Sequence, residues 1–421
     1  MPNRLIKFAS MLIIFMPVFL ITGPFLSDLS VILIDLIFLY LIFKNQNTDV
    51  LLRNNLFIFF FIFNVYISIR SIFTDEIFFS LKSSLPYVRF LVFIFAVSYF
   101  LRINKKLEKN FSKLFLLLIL VVCVDAIFQY IFGFNFLGFR IDNPDKLNGF
   151  FKDEAVLGSY LIRLFPLILV TFFSLYGFKD NKFKFYILFI LVSFVIFLSG
   201  SRSSLALLIL FVTLIMLLFN ELRKTFLIIS SISILLLIFL LQVSEKLKYK
   251  TYINFYNPIQ TMFFASDLYP LEQKNFYFFT PVHDTHYRTA YNIFKENKIF
   301  GAGNKMYRIV CSKEGIYINK FSCTSHPHNF YMQVLAENGI IGLVFIASLF
   351  IMVFFKLFKE IFLRNFKNEK KYDNKSILLL IGIFLNLWPI IPSGNIFNNW
   401  LSILMYFPGG FLMYFTSNRV K

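Results

Sequence analysis

The chain has 421 residues, 58% hydrophobic and 15% charged, with a mean hydropathy of +0.71. This excludes a disordered chain, and the 62 phenylalanines exceed what one aqueous core would use. The formal charge of +19 gives no reason to invoke nucleic acid, because the basic residues cluster in short segments between long apolar runs.

In chain order, the first run (LIKFASMLIIFMPVFLITGPF) lacks a small-residue cleavage site, so it is expected to stay as a span. Comparable runs recur at 5–23, 28–44, 54–70, 87–103, 113–133, 155–175, 183–200, 203–220, 225–243, 340–358, 376–393 and 399–416. Each is near the ~20 helical residues that cross a ~30 Å hydrocarbon core. The expectation is an all-α integral membrane protein with about 12 transmembrane helices. Lys and Arg are dense at 102–113, 179–184, 221–224 and 356–375, and absent from "TGPFLSD" and "PSGN". The positive-inside rule then puts both termini in the cytoplasm. The chain divides into helices 1–9 (1–243), a large outer loop subdomain (244–339), and helices 10–12 with a cytoplasmic C-terminus (340–421).

Polar chemistry gathers on the outer side. Loops as long as 244–339 are usually functional, and a second outer loop spans 134–154. Cys311 and Cys323 both fall in the long loop, where an oxidising compartment permits a disulfide. Cys123 lies inside a span and reads as packing. Asp125 and Arg163 sit at similar depth in consecutive antiparallel spans, so a structural ion pair is expected. Arg202 lies in "SGSRSS" (199–204), an outer turn where a cation is not favoured by topology. With Ser201, Ser203 and the N-terminus of the next helix it is a candidate anion site. All four histidines (His283, His286, His326 and His328) fall between 283 and 328. The helix expected from "NFYMQVLAEN" has an apolar face and suits the membrane surface, with His328 at its start. Gly339 and Gly342 permit close helix approach as the tenth span begins.

Taken together, His328-Asn329, nine residues, Gly339, two residues, Gly342, with "LSGSRSSLALL", "HYRTAYNIFKENKIFGAGNKMYR" and "GFFKDEAVLGSYL", resemble the O-antigen ligase and O-antigen polymerase superfamily of bacterial envelope glycosyltransferases. The resemblance covers roughly 140–345. It implies a GT-C-like membrane fold in the bacterial inner membrane. It also implies transfer of a glycan from undecaprenyl diphosphate to an acceptor hydroxyl at the periplasmic face, with inversion. No cofactor and no metal are implied. A ligase would use lipid A–core as acceptor; a polymerase, the alternative, would use another lipid-linked glycan. Expected partners are these substrates, the bilayer and other envelope-biosynthesis proteins. The resemblance maps an essential histidine onto His328 and two diphosphate-facing arginines onto Arg202 and Arg288. Ser201, Ser203, Asn329, Arg308 and Arg140 are further candidates for substrate binding. The residues suit these roles: imidazole can take a hydroxyl proton near neutral pH, and fixed guanidinium groups can stabilise a departing diphosphate.

Two rivals carry less. "HDTH" and "HPH", with Asp284 and Glu337, have ligand-like spacing for zinc, but His-x-His is not a standard single-helix pair. A transporter would be expected to show inverted repeats, and none is legible. His283, His286 and His326 read as ordinary surface polarity.

Overall fold

The computed structural model describes residues 2–46, 48–141, 146–177, 181–257, 259–260 and 279–417. Helices follow the apolar runs. In order they are α1 (Pro2–Thr22), α2 (Pro24–Lys44), α3 (Asn55–Ile72), α4 (Val88–Ile103), α5 (Leu107–Phe132) and α6 (Leu157–Tyr176). Then come α7 (Lys182–Leu198), α8 (Arg202–Leu218), α9 (Arg223–Val243), α10 (Pro281–Glu296), α11 (Phe330–Phe362), α12 (Asn374–Asn386) and α13 (Asn399–Ser417). Each of the twelve expected segments carries a helix. Among the described residues, eight helices are long and apolar enough to cross a membrane; α7, α8, α12 and α13 do not meet the same measure. The chain is a multi-pass membrane protein.

Local sequence sets the breaks. Pro24 opens α2 directly after Gly23, where its missing N–H costs nothing. Asn54 caps α3, its side chain accepting from the amides of Leu56 and Phe57 at 3.0 and 3.3 Å. The eleventh expected segment, 376–393, ends early. α12 stops at Asn386, and the proline-bearing "WPIIPSGN" continues as a loop.

α6 is the centre of the bundle: 89% of its spanning window is buried, against 11% for the segment containing α9, which faces outward. α6 packs on α5, α7, α8, α12 and α13. Between membrane helices, lipid removes most of the hydrophobic driving force, so contact geometry decides. Phenylalanines supply it. Phe63 of α3 stacks on Phe345 of α11 at 3.8 Å between centroids, and Phe111 of α5 meets Phe411 of α13 at 4.8 Å.

The long loop has a small core of its own, made by Ala290, Ile293, Met306, Tyr307, Val310, Cys311 and Ile316 closing on Ala336 of α11. Cys311 and Cys323 are joined as a disulfide with Cα atoms 5.3 Å apart.

That subdomain is fastened to α11 by backbone. Gly339 interrupts α11 with φ +63°, ψ −159°. The carbonyls that would have served the helix are taken by the loop: Ala302 N–H donates to Ala336 O at 2.9 Å and Gly303 N–H to Glu337 O at 2.7 Å. Ile340 N–H, freed in turn, donates to Lys298 O at 2.9 Å. The Ala336 and Glu337 carbonyls and the Ile340 amide are therefore satisfied across the seam. The seam has no room for side chains: a Cβ on Gly339 would lie 2.2 Å from Ile299 O, and one on Gly301 2.4 Å from Asn338 N. From α3, Tyr66 donates to Asn338 O at 2.7 Å and Arg70 to Gly301 O at 3.0 and 2.6 Å. The segment 330–338 is thus not a surface helix. Gln333, Val334, Ala336, Glu337 and Asn338 are all buried, because the loop subdomain covers them.

Gly339→Ala or Gly301→Ala should cost at least about 3 kcal/mol, combining left-handed strain with a backbone clash. Gly315→Ala, equally left-handed but in open space, should cost about 1–2 kcal/mol. Thermal unfolding of the detergent-purified variants measures both.

Candidate functional site

A cavity of about 1200 Å³ opens where the turns at Gly23–Pro24, 146–156, 200–204 and 392–401 meet the loop residues 279–283 and 325–328. All the turns involved join helices at the same end of the bundle. Its walls carry Arg163, Arg202, Arg308, Lys146 and Lys152 against Asp153 and Glu154, with His283, His326 and His328 beside them. The lining is cationic, so it suits an anion.

The folding of each part is local. Ser201 caps α8 through a bond from the amide of Ser204 at 3.3 Å, and its hydroxyl is 2.8 Å from that of Ser204 and 3.2 Å from that of Ser203. Arg202 is the first residue of α8, exposed on the cavity wall. The helix N-terminus adds free amides and the positive end of its dipole.

Asn329 caps α11. Its Oδ1 accepts from the amides of Tyr331 and Met332 at 2.9 and 3.1 Å, and its Nδ2 donates to Pro389 O at 2.7 Å. It holds the backbone at the start of α11 and is not part of the cavity lining. His328, one residue earlier, sits in left-handed backbone at φ +56°, a conformation uncommon outside glycine and found at functional sites. The loop after α12 clamps it: Ser393 N–H donates to His328 O at 2.8 Å, and Phe330 N–H donates to Ser393 Oγ at 3.0 Å.

The four imidazoles meet. The His328 ring lies 4.2 Å from that of His326, 5.2 Å from that of His286 and 5.8 Å from that of His283. His283 and His286 share one face of α10 at i,i+3. This overturns the reading of these three as ordinary surface polarity. His283 Nδ1 is 2.6 Å from Thr280 Oγ1, and His326 Nδ1 is 2.8 Å from Ser325 Oγ. Burial, then the neighbouring imidazoles and cations, lowers His283 to about 3, His286 to about 4 and His326 to about 3. His328 is lowered by burial and by Lys146. All four shifts favour the neutral form, in which each ring has one unprotonated nitrogen. Among the described residues, no set of three His, Cys, Asp or Glu is arranged to hold a metal ion.

Other expectations need correction. Asp125 and Arg163 do not pair. Asp125 turns to the loop and accepts from the amide of Phe136 at 2.8 Å. Arg163 donates to Ser159 Oγ at 3.1 Å and to Asn386 Oδ1. Equal depth did not bring them together because a loop amide reaches Asp125 first. Arg288 is exposed and outside the cavity lining. It lies two residues past His286, about 200° around the helix. Arg140 is also exposed and off the cavity, in a bridge with Phe134. Arg308 is on the wall, its guanidinium donating to Ser325 O at 3.1 Å. Gly342 packs tightly, as a Cβ there would meet the Asn338 Cβ at 2.5 Å.

This fold and cavity define a multi-pass α-helical membrane protein with an anion-suited, histidine-lined chamber at one end. Residues 187–347, less than half of the chain, match the family model described as O-antigen ligase, and this match supports the resemblance to the O-antigen ligase and polymerase superfamily. The matched region holds Arg202, Arg308 and all four histidines; Arg163 lies outside it. None of the curated proteins matches the chain. The family supports a ligase- or polymerase-type function in the lipopolysaccharide pathway.

With only four histidines in the chain, ¹⁵N-histidine labelling gives a readable spectrum. All four rings should be neutral at pH 7, titrating below the ordinary imidazole value of ~6.5. A ring half-protonated at pH 7 would contradict this account of the cluster.

Proposed function

We propose that the protein transfers a glycan from undecaprenyl diphosphate to a hydroxyl of lipid A–core, at the periplasmic face and without a metal. The observation that carries this reading is His328 and Arg202 on one cavity wall, beside the N-terminus of α8. In this reading the long loop is periplasmic, both termini are cytoplasmic, and all twelve helices span the inner membrane.

The chemistry follows from the residues. The acceptor oxygen forms a bond to the anomeric carbon as the bond from that carbon to the diphosphate oxygen breaks. The hydroxyl proton passes to a ring nitrogen of His328. The electron pair leaves with the diphosphate, whose growing charge is met by Arg202, the Ser201 and Ser203 hydroxyls, the α8 amides and Arg308. Attack opposite the leaving group inverts the anomeric centre. Lys146 and burial disfavour a charged His328 in the empty site. A bound diphosphate is a nearby anion and opposes both, so the imidazole becomes a better proton acceptor once the donor is in place.

Polymerisation, with a lipid-linked glycan as acceptor, uses the same site and is the alternative; the family description favours ligation. Deleting the gene separates them. Ligase loss should leave bare lipid A–core, and polymerase loss a core capped with one repeat. Unchanged lipopolysaccharide would sink both. In complementation, His328→Ala and Arg202→Ala should each lower transfer at least about 100-fold, the scale of losing a proton acceptor or a charge-stabilising donor. Arg288→Ala should retain more activity than Arg202→Ala, and chelators should leave transfer intact.

The pH profile gives a second check. Activity should be full at and above neutral pH and fall as His328 becomes protonated. The acid limb of kcat, which reports the donor complex, should lie at higher pH than that of kcat/KM, which reports the free enzyme. Coincident limbs would count against donor charge tuning His328.

A further inference from the structure

Arg163 stands six residues into α6, about 9 Å from its start at 1.5 Å per residue. It is buried, yet it lines the cavity. Its Nε donates to the neutral Ser159 Oγ and its Nη1 to the neutral Asn386 Oδ1. Its guanidinium carbon is 6.0 Å from the centre of the Phe330 ring, two residues past His328. Among the described residues no carboxylate pairs with it. The contrast with other enclosed arginines is informative. Arg89 is held by Asp28 at 2.8 Å, and Arg364 by Glu360 at 2.8 Å.

A buried guanidinium without a counter-ion is costly, and arginine cannot escape the cost by losing its proton. Charged residues at such positions face a cavity or pathway and find a partner there. The partner must be an anion that enters the cavity. We infer that Arg163 is a ligand for the donor diphosphate, gripping it on the membrane side while Arg202 and the α8 N-terminus grip it from the turn. This rests on the proposed use of a diphosphate donor and adds a residue that neither the motif resemblance nor the family match assigns. In this role Arg163 draws the diphosphate down beside Phe330, and so towards the start of α11, where His328 waits. A guanidinium fork suits the task, because two phosphate oxygens can be held in parallel.

The rival role is structural: Arg163 ties α6 to α12 through Asn386. The test separates them, using the detergent-purified full chain and inorganic pyrophosphate as the probe, with binding read by calorimetry. Arg163→Gln should weaken pyrophosphate binding by at least about tenfold, the cost of a lost charged hydrogen bond. Arg163→Lys should fall between the two, keeping charge without the fork. Asn386→Ala breaks the tie but leaves the guanidinium, so it should bind within about threefold of the original. If Arg163→Gln lost no affinity while Arg202→Ala lost it, Arg163 would be structural and the diphosphate reading would stand. If the unmodified protein bound no pyrophosphate, the diphosphate reading itself would fall. Should Arg163→Gln not fold, Arg163→Lys decides: undiminished affinity there, with a normal melting temperature, overturns a fork-held diphosphate.

Discussion

The break in α11 at Gly339 is the constraint on which the site depends. An uninterrupted helix would use the Ala336 carbonyl for the amide of Ile340. Here that carbonyl receives Ala302 and the amide goes to Lys298. Two chain segments exchange backbone bonds in both directions, so the loop subdomain is fixed to α11 in one register. That register matters because α10 belongs to the subdomain and His328 belongs to the start of α11. Slipping the seam would carry His283 and His286 away from His328. Tyr66 and Arg70 reinforce it from α3, and the Cys311–Cys323 disulfide closes the segment that leads to His326. Precision at the imidazoles is thus set some ten residues away, by glycine backbone.

Electrostatics gives the chamber its second property. Guanidinium and ammonium groups outnumber carboxylates on its wall, while the imidazoles stay uncharged. Positive charge that could have been spread over histidines is confined to groups that cannot give it up. The result is a division of labour: the arginines bind charge and the histidines remain available for a proton. A cluster of four neutral rings also resists taking a second proton, since His328, once charged, lowers its neighbours further.

Much of the fold was legible because a membrane span announces itself by length and apolarity. All twelve segments carry helices, though 376–393 was read too long: apolarity continued through "WPII" after the prolines had ended the helix. Local parts of the site were legible too. The Ser201 cap followed by Arg202 is visible as a turn entering a helix, and His328 as the residue before an Asn cap. The same logic would have assigned Asn329 to capping rather than substrate, as Asn is a favoured N-cap. A helical wheel on 281–296 would also have set Arg288 apart from His283 and His286. What no local pattern carried is the meeting of α10 with the start of α11, because it is made by a loop docking over a backbone kink. Asp125 and Arg163 failed for a related reason: depth in the bilayer fixes height, not azimuth, and a loop amide competed for the carboxylate.

The two ends of the bundle show what a finished polar network looks like beside an unfinished one. Arg364 is enclosed by Glu360, Asn374 Oδ1 and the carbonyls of Leu218 and Tyr372. It joins α8, α11 and α12 at the end away from the cavity, and nothing about it invites a ligand. At the cavity end α6, α8, α11 and α12 come together again around Arg163 and Arg202, on a wall where five cationic side chains face only Asp153 and Glu154. α8, α11 and α12 thus close one end with an ion pair and, joined by α6, leave the other positively charged. A protein selected for stability alone would have little reason to differ between the two. The asymmetry is what a site needs if its missing negative charge is to arrive with the substrate.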